Sequence, residues 1–373
     1  MTKFILMAGV AGFITFNSAV AQEVSISSHD HHNHAHHGGH DHSVAPLAPI
    51  SVMGDHMHPK GEWMVSYRRS HMMMEENRNG TSRLSNDEIA TSVANRFSGV
   101  AGQPPTLRVV PTEMSMNMHM IGAMYGATDW LTLMAMGMYM EKDMSHVTYQ
   151  GGAGTTVLGT FDTNTEGWGD TVLSGLVKLH DAGAHNVHLN LELSLPTGSI
   201  TEEGNVLTPM NMRPRVRLPY AMQLGSGTYD LHPGLTYNGH RGDYSWGAQY
   251  KAEIRLEDEN DEGYAWGDKH SVTAWAGYRA NPVVSVNGFV RASTQEAIDG
   301  IDADIVLPVQ TADPDNYGSE VVEAGLGFNF KGQSGWMRGH SAGFDVAVPL
   351  YQNLNGPQLE RDYTITFGLK ASF

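Results

Sequence analysis

The segment 361–373 alternates between apolar and polar side chains at every position. One face carries Tyr363, Ile365, Phe367, Leu369, Ala371 and Phe373, and the other carries Asp362, Thr364, Thr366, Gly368, Lys370 and Ser372. A period of two is typical of a β-strand whose faces meet different environments. Such a strand fits a half-buried soluble sheet, and it also fits the wall of a membrane barrel with lipid outside and water inside.

The amino-acid composition limits the classes of protein to which this chain can belong. The 373 residues include 22 Met and no Cys, which excludes a disulfide scaffold and thiolate metal sites. The formal net charge of -17 argues against a nucleic-acid partner, because there is no basic patch to displace phosphate counterions, and it permits cation handling. Charged residues make up 17% and the mean hydropathy is -0.31, as expected for a barrel that averages an apolar outside with a polar inside.

The segment 1–21 predicts a secretory signal peptide, with Lys3, an apolar run over 4–16 and the cleavage pattern Ala19-Val20-Ala21. An N-terminal membrane anchor is the alternative, although the apolar run is short for a span. After residue 21 there is no apolar run long enough for a membrane helix. A membrane location would therefore require a closed sheet.

We predict about twelve strands joined alternately by short and long connections, with the short turns in the periplasm and the long loops outside. The predicted strands are 62–74, 112–126, 130–146, 170–180, 185–196, 227–238, 243–256, 270–280, 283–294, 319–331, 338–350 and 361–373. The predicted fold is all-β, a transmembrane antiparallel up-and-down β-barrel over 61–373. It resembles outer-membrane barrels, which typically end in a C-terminal Phe that the barrel-assembly machinery recognises.

Residues 22–60 are predicted to be a His-rich, disordered periplasmic segment. Neutral imidazole binds Cu(II), Ni(II) and Zn(II), and a flexible tract offers ligand sets without needing a fold. The tract is either a metal-collecting tail or a low-complexity leader without selectivity. Its candidate ligands are His29, His31, His32, His34, His36, His37, His40 and His42.

A second Met/His group, formed by Met53, His56, Met57 and His58, lies just before the first predicted strand. Thioether sulfur is a soft ligand, so a mixture of thioether and imidazole suits copper better than zinc. The alternative is that this stretch is a plug or turn that closes the floor of the barrel.

The second and third strands are rich in methionine on one face, at 114, 116, 118, 120 and 124 and at 134, 136, 138 and 140. A three-residue loop pairing Gly126 with Trp130 predicts three cross-strand pairs, Met120 with Met136, Met118 with Met138 and Met116 with Met140. Facing the lumen, these side chains would offer weak sites to Cu(I) or Ag(I). Facing lipid, they would be apolar filler. The candidate ligands are Met116, Met118, Met120, Met134, Met136 and Met138.

If the methionines face inward, Ser115, Asn117 and His119 face outward, where lipid would not suit them. A β-bulge in the second strand would resolve this conflict, and so would emergence of the strand above the bilayer near residue 119. The sequence leaves both open.

Four segments in order, 124–131, 167–171, 193–198 and 224–230, resemble the outer-membrane barrels grouped as the putative MetA pathway of phenol degradation. That resemblance implies a channel-like barrel and defines no catalytic residues. The stretch 53–64 and the methionine hairpin resemble a Met/His-rich, copper-associated branch. We find no H-E-x-x-H, G-x-S-x-G or Walker motif, so we expect a porin-like transporter rather than an enzyme.

The sequence thus predicts an outer-membrane channel of a Gram-negative bacterium that handles soft metal ions, with copper preferred, and has a periplasmic N-terminal tail. A passive channel for small hydrophobic or aromatic solutes is the first alternative, and a barrel that anchors a chelating tail is the second. No cofactor is required, although Cu(I) or Cu(II) could bind. The expected partners are membrane lipid, lipopolysaccharide, the assembly machinery and a small ion or solute.

Overall fold

A computed structural model describes residues 48–373, so the predicted signal peptide and histidine tract lie outside the described residues. The described part contains seventeen β-strands and one short α-helix, α1 (Asn86–Ser92). The strands are β1 (Trp63–Gly80), β2 (Ser82–Leu84), β3 (Val109–Thr128), β4 (Leu131–Tyr149), β5 (Val157–Trp168), β6 (Thr171–Asp181), β7 (His185–Leu195), β8 (Glu203–Asn205), β9 (Arg215–Arg217), β10 (Asp230–Arg241), β11 (Tyr244–Arg255), β12 (Tyr264–Ala265), β13 (Lys269–Arg279), β14 (Val284–Gln295), β15 (Asp299–Gly300), β16 (Ser319–Lys331) and β17 (His340–Ser372). Four 3-10 helices are Tyr220–Met222, Gln310–Ala312, Pro314–Tyr317 and Gly335–Met337.

Eleven of these strands form a closed ring, which β1 and β17 complete by pairing with each other. Every pair in the ring is antiparallel, and an odd number of strands satisfies this only if one strand reverses. β17 does so near Gly356, which has φ +71°. Its first part, 341–354, pairs with β16, and its last part, 359–372, pairs with β1. The wall is therefore crossed twelve times, and the predicted all-β barrel is confirmed.

The short connections between successive ring strands, at 129–130, 182–184, 242–243, 280–283 and 332–339, lie at one end of the barrel, whereas the reversal of β17 near Gly356 lies at the opposite end. The longer connections lie at the other end, which we call the loop end. The residues 147–169, left between two predicted strands as a long connection, contain a further strand, because 157–168 form β5. This strand pairs with the upper half of β4, while β6 pairs with the lower half.

The outer face of the ring is apolar along its middle. Exposed leucine, valine and phenylalanine side chains occur on most of the strands, including Leu133, Leu173, Leu191, Leu235, Val272, Val290, Leu326, Phe328, Val348 and Leu369. Exposed aromatic side chains gather near the short-turn end, at Trp63, Trp130, Tyr244, Tyr278, Phe330 and Phe373. An apolar band with an aromatic edge is the surface that a bilayer requires of a barrel. Within 48–373, no helix is both long and apolar enough to cross a membrane.

The loops at the loop end fold together over the lumen, and we call this assembly the loop cap. Its core combines loop residues with inward-facing wall residues, namely Phe97, Val109, Met114, Met144, Phe161, Val206, Leu207, Leu218, Tyr220, Met222, Tyr264, Ile298, Ile305, Val309 and Ala312. The buried guanidinium of Arg108 donates to the carbonyls of 90, 150, 151, 153 and 154, which fixes the glycine-rich loop between β4 and β5. The barrel is thus covered at this end by a packed apolar layer.

Leu326 tests whether the outer face contacts hydrocarbon, because it is 72% exposed near the middle of β16. We expect Leu326→Arg to destabilise the barrel in lipid vesicles by about 2–4 kcal/mol, the cost of placing a charge at the bilayer midplane. Equilibrium unfolding in urea measures this difference. Leu326→Met is the matched control and should unfold like the original chain. Equal stability of the arginine variant in vesicles would contradict the assignment of this face to lipid.

Candidate functional site

Residues 48–62, which we call the inner segment, cross the lumen at the short-turn end. The main chain of this segment is held by polar side chains from different strands of the wall. Asn329 Nδ2 donates to the Ala48 carbonyl at 3.1 Å, and Gln249 Nε2 donates to the Met53 carbonyl at 2.9 Å. Residues 48–60 are therefore ordered, and the prediction of disorder over 22–60 is wrong for this part.

The inner segment fits the wall closely enough to require glycine there. A Cβ atom at Gly126 would lie 1.9 Å from the Pro59 carbonyl oxygen. On β17, Gly343 and Gly368 leave space for the side chain of Ile50. The predicted alternative, a stretch that closes the barrel floor, is what the structure shows for these residues.

All the methionines of the β3 and β4 face point into the lumen. Met114, Met124, Met134, Met140 and Met144 are buried, whereas Ile121 and Leu133 on the opposite face are exposed. Their pairing differs from the prediction by two residues, because the β3–β4 turn has two residues, 129–130, and an irregularity between Gly126 and Thr128. Met120 is opposite Met138, Met118 is opposite Met140, Met116 is opposite Lys142, and Met136 is opposite Gly122.

The exposure of these methionines defines three levels. At the short-turn end, the inner segment covers Met64, Met124 and Met134, which are 2–8% exposed. At the loop end, the cap covers Met114 and Met144. Between them, five partly exposed side chains line accessible space, and we call this level the methionine chamber; it comprises Met116, Met118, Met120, Met136 and Met138. Of the six ligands predicted on the second and third strands, only Met134 lies outside the chamber.

The polar residues on the outer face of β3 contact polar side chains of the neighbouring strand β1. β3 is twenty residues long, about twice what a bilayer needs, and its register is continuous from Glu113 to Gly126. Among outer side chains, His119 Nδ1 is 2.8 Å from the Tyr67 hydroxyl, and Asn117 Oδ1 accepts from Arg69 at 3.1 Å. No β-bulge is therefore required in β3 to account for these polar residues on its outer face.

The wall opposite the methionines carries paired charges. Lys251 Nζ lies 2.6 Å from Glu192 Oε2, and His232 Nδ1 lies 3.6 Å from the same oxygen. Farther round the ring, Arg291 and Arg361 each lie 2.8 Å from a different oxygen of Glu323. These residues were missed because they look like isolated loop-flanking charges in the sequence. Their inward parity within the predicted strands was the signal that could have revealed them.

The loop cap has its own ionic contacts. Arg217 NH1 lies 2.8 Å from Asp302 Oδ2 and 3.3 Å from Glu262 Oε2. Burial disfavours the charged form of Arg217. The carboxylates of Asp302, Glu262 and Asp304 outweigh this effect and raise the pKa of Arg217 above its ordinary value. Burial also raises the pKa of Tyr220 to about 12, and its hydroxyl accepts a hydrogen bond from the Asp302 amide. The acidic group at 262, 302 and 304 is thus already paired with a protein cation.

The predicted metal ligands fall into three sets, namely the histidine tract, the Met/His group of the inner segment and the methionines of β3 and β4 described above. His29 to His42 lie outside the described residues. Met53, His56, Met57 and His58 belong to the inner segment, and Met57 packs against Met64, Met124 and Met134. The structure therefore brings Met57 of the second set together with the buried end of the methionine row, while the role of all these residues as metal ligands stays a prediction.

No protein-family model matches the chain, and no curated protein matches its sequence. The family resemblance and the copper-associated branch therefore stay predictions. Among solved structures, the chain is similar to the COG4313 outer membrane channel from Pseudomonas putida F1, with a TM-score of 0.55 and 12% identity over 87% of this chain and 100% of that chain.

Two further outer-membrane proteins are less similar. A Pseudomonas aeruginosa FadL homologue has a TM-score of 0.42 and 10% identity over 84% of this chain and 90% of that chain. The CymD monoaromatic hydrocarbon channel has a TM-score of 0.40 and 9% identity over 85% of this chain and 89% of that chain. At sequence identities this low, structural similarity is evidence for a shared fold alone. The chain has the fold of an outer-membrane channel barrel.

A substitution of Glu192 can test the paired charges on the wall opposite the methionines, because Glu192 is 2% exposed and its carboxylate contacts Lys251. We expect Glu192→Gln to destabilise the folded barrel by about 2 kcal/mol, between the values for exposed and fully buried pairs, since Lys251 loses its counter-charge. The double variant Glu192→Gln/Lys251→Met should recover most of this loss. Unfolding in urea compares the variants, and a single variant as stable as the original chain would contradict the ion pair.

Proposed function

We propose that this protein is an outer-membrane channel in which small solutes with apolar surface pass along the methionine chamber. The observation that carries the proposal is the lumen-facing methionine row, which is accessible between the cap and the inner segment. A thioether wall offers dispersion contacts without fixed hydrogen-bond geometry, so solutes of different shapes can pass along it. Support for a channel also comes from the fold shared with the COG4313 outer membrane channel.

The inner segment is one constriction of the proposed channel, and the loop cap is the other. The inner segment occupies the lumen at the short-turn end, where hydrogen bonds from His188 and Asn238 hold the carbonyls of Gly54 and Asp55 at 2.8 and 2.7 Å. Passage therefore requires solutes small enough to slip past this segment, or a displacement of the segment. A narrow path with an apolar side favours small hydrophobic molecules over large polar ones.

The proposed location follows from the outer surface. The apolar band and the aromatic edge fit an outer-membrane bilayer, with lipid and lipopolysaccharide around the barrel. We place the short-turn end and the N terminus in the periplasm, because outer-membrane barrels carry short turns on that side. The assembly machinery that recognises C-terminal strands would insert the barrel.

The proposed solute path along the methionine chamber can be tested by cysteine labelling, since the chain contains no cysteine and Met118→Cys introduces a single thiol. We expect a charged methanethiosulfonate reagent to lower the conductance of this variant in planar bilayers by more than about twofold, because it would place a charge in the path. Ile121→Cys is the matched control, on the outer face of the same strand and 56% exposed. Labelling of Met118→Cys without any change in conductance would refute passage along the chamber.

Soft metal ions are the second candidate cargo, because the lumen-facing methionine row also offers polarizable sulfur on facing strands, with Met118 opposite Met140 and Met120 opposite Met138. Thioethers bind Cu(I) and Ag(I) weakly enough for exchange between neighbouring sites. The same wall would then serve an ion rather than an apolar molecule.

Replacing Met118, Met120, Met138 and Met140 with Leu separates the two cargoes, because leucine keeps the apolar volume and removes the sulfur. If soft metal ions pass, Ag(I) permeability of reconstituted barrels should fall about tenfold, since each ion loses its ligands. Passage of a small aromatic solute should stay unchanged in the same vesicles. Unchanged Ag(I) permeability would exclude the metal cargo and leave the apolar solute.

A further inference from the structure

Two histidines lie where the inner segment meets the base of β1, β3 and β4. The ring centroids of His56 and His58 are 5.0 Å apart, in an edge-to-face arrangement. His56 Nδ1 lies 2.9 Å from Asp55 Oδ1, and His58 Nδ1 lies 3.5 Å from Glu62 Oε1. A carboxylate beside one ring nitrogen orients an imidazole so that the other nitrogen is presented to a ligand.

The Nε2 atom of His58 is the unusual feature of this corner. His58 is 5% exposed, and its Nε2 atom has no hydrogen-bond partner among the described residues. Buried polar atoms normally have a hydrogen-bond partner, because an unpaired atom loses its hydrogen bonds to water and gains none within the protein. A ligand at this nitrogen would account for the arrangement.

Thioethers surround the same corner. Met64, Met124 and Met134 lie opposite one another on three neighbouring strands and are buried. Met57, between the two histidines, packs against this row. The amide of His58 donates to Thr132 Oγ1 at 2.9 Å, which fixes the histidine two residues along β4 from Met134.

We propose that His56 and His58, together with the thioethers of Met57, Met64, Met124 and Met134, form a binding site for a monovalent soft metal ion such as Cu(I) or Ag(I). Imidazole and thioether ligands without thiolate select soft ions. The carboxylate of Asp55, beside His56, also contacts Lys370, whose Nζ lies 3.5 Å from Asp55 Oδ1. The other nearby cation, Arg68, donates to the Ile50 carbonyl.

The bound ion links the inner segment to three wall strands. It therefore holds this segment in the lumen, and metal occupancy sets how firmly the short-turn end is closed. This role does not depend on which solute the chamber admits, so the site stands or falls separately from the proposed channel.

The test is a Cu(I) titration of the purified full chain in detergent, in competition with bicinchoninate, followed by X-ray absorption of the copper. We expect one Cu(I) with both nitrogen and sulfur neighbours. Met124→Leu/Met134→Leu removes two ligands while keeping the apolar volume, and it should weaken Cu(I) binding by about tenfold or more and reduce the sulfur signal. Met210→Leu/Met212→Leu is the matched control, since both methionines lie exposed in a loop of the cap.

A variant at the histidine gives the second measurement. His58→Phe keeps a ring of similar shape and should lose nitrogen neighbours while retaining heat-modifiable mobility on a gel, which shows that the barrel is folded. The proposal is overturned if Cu(I) has nitrogen neighbours only and both variants bind it as the original chain does. In that outcome the copper is held by the histidine tract at 29–42. It is equally overturned if folded protein binds no Cu(I) in competition with bicinchoninate.

Discussion

The hydrogen bonds between β1 and β17 are the interaction on which the rest of the structure depends. Inside a bilayer there is no water to satisfy backbone N–H and C=O groups, so a sheet there must have no free edge. The ring meets this requirement through the reversal in β17, which brings 359–372 alongside β1. Once the ring is closed, alternation along each strand assigns every side chain either to lipid or to the lumen.

Closure also explains why the interior has two unlike sides. Neighbouring strands β1, β3 and β4 contribute methionines, while β7, β10, β11, β14, β16 and the end of β17 contribute charges that pair with one another. The charges satisfy each other within the wall, as Glu192 and Lys251 do. The methionine side is left without partners of its own, so it is available to an apolar solute or a soft ion. The inner segment and the loop cap limit access to it from the two ends.

Local patterns predicted the wall well. The apolar face of 361–373 and the twelve crossings follow from a period of two, which depends only on neighbours along the chain. Parity alone left the direction of the methionines open, because an inward choice sends Ser115, Asn117 and His119 to the outer face. Pairing across the β3–β4 turn was wrong by two residues, because register depends on the turn geometry, and the irregularity near Ala127 is not encoded by alternation. The β5 strand was missed since it lies beyond the bilayer, where alternation carries no lipid face.

The sequence by itself determined the class of fold and the alternation of apolar and polar residues along each strand, because both follow from short-range patterns and composition. Only the tertiary structure decided that 48–62 lie inside the barrel, since the partners of this segment are as distant as Asn329 and Asp345 and no local pattern marks such contacts. It also decided that His58 meets the buried end of the methionine row. These contacts arise from closure of the ring, which brings residues far apart in sequence to a common interior.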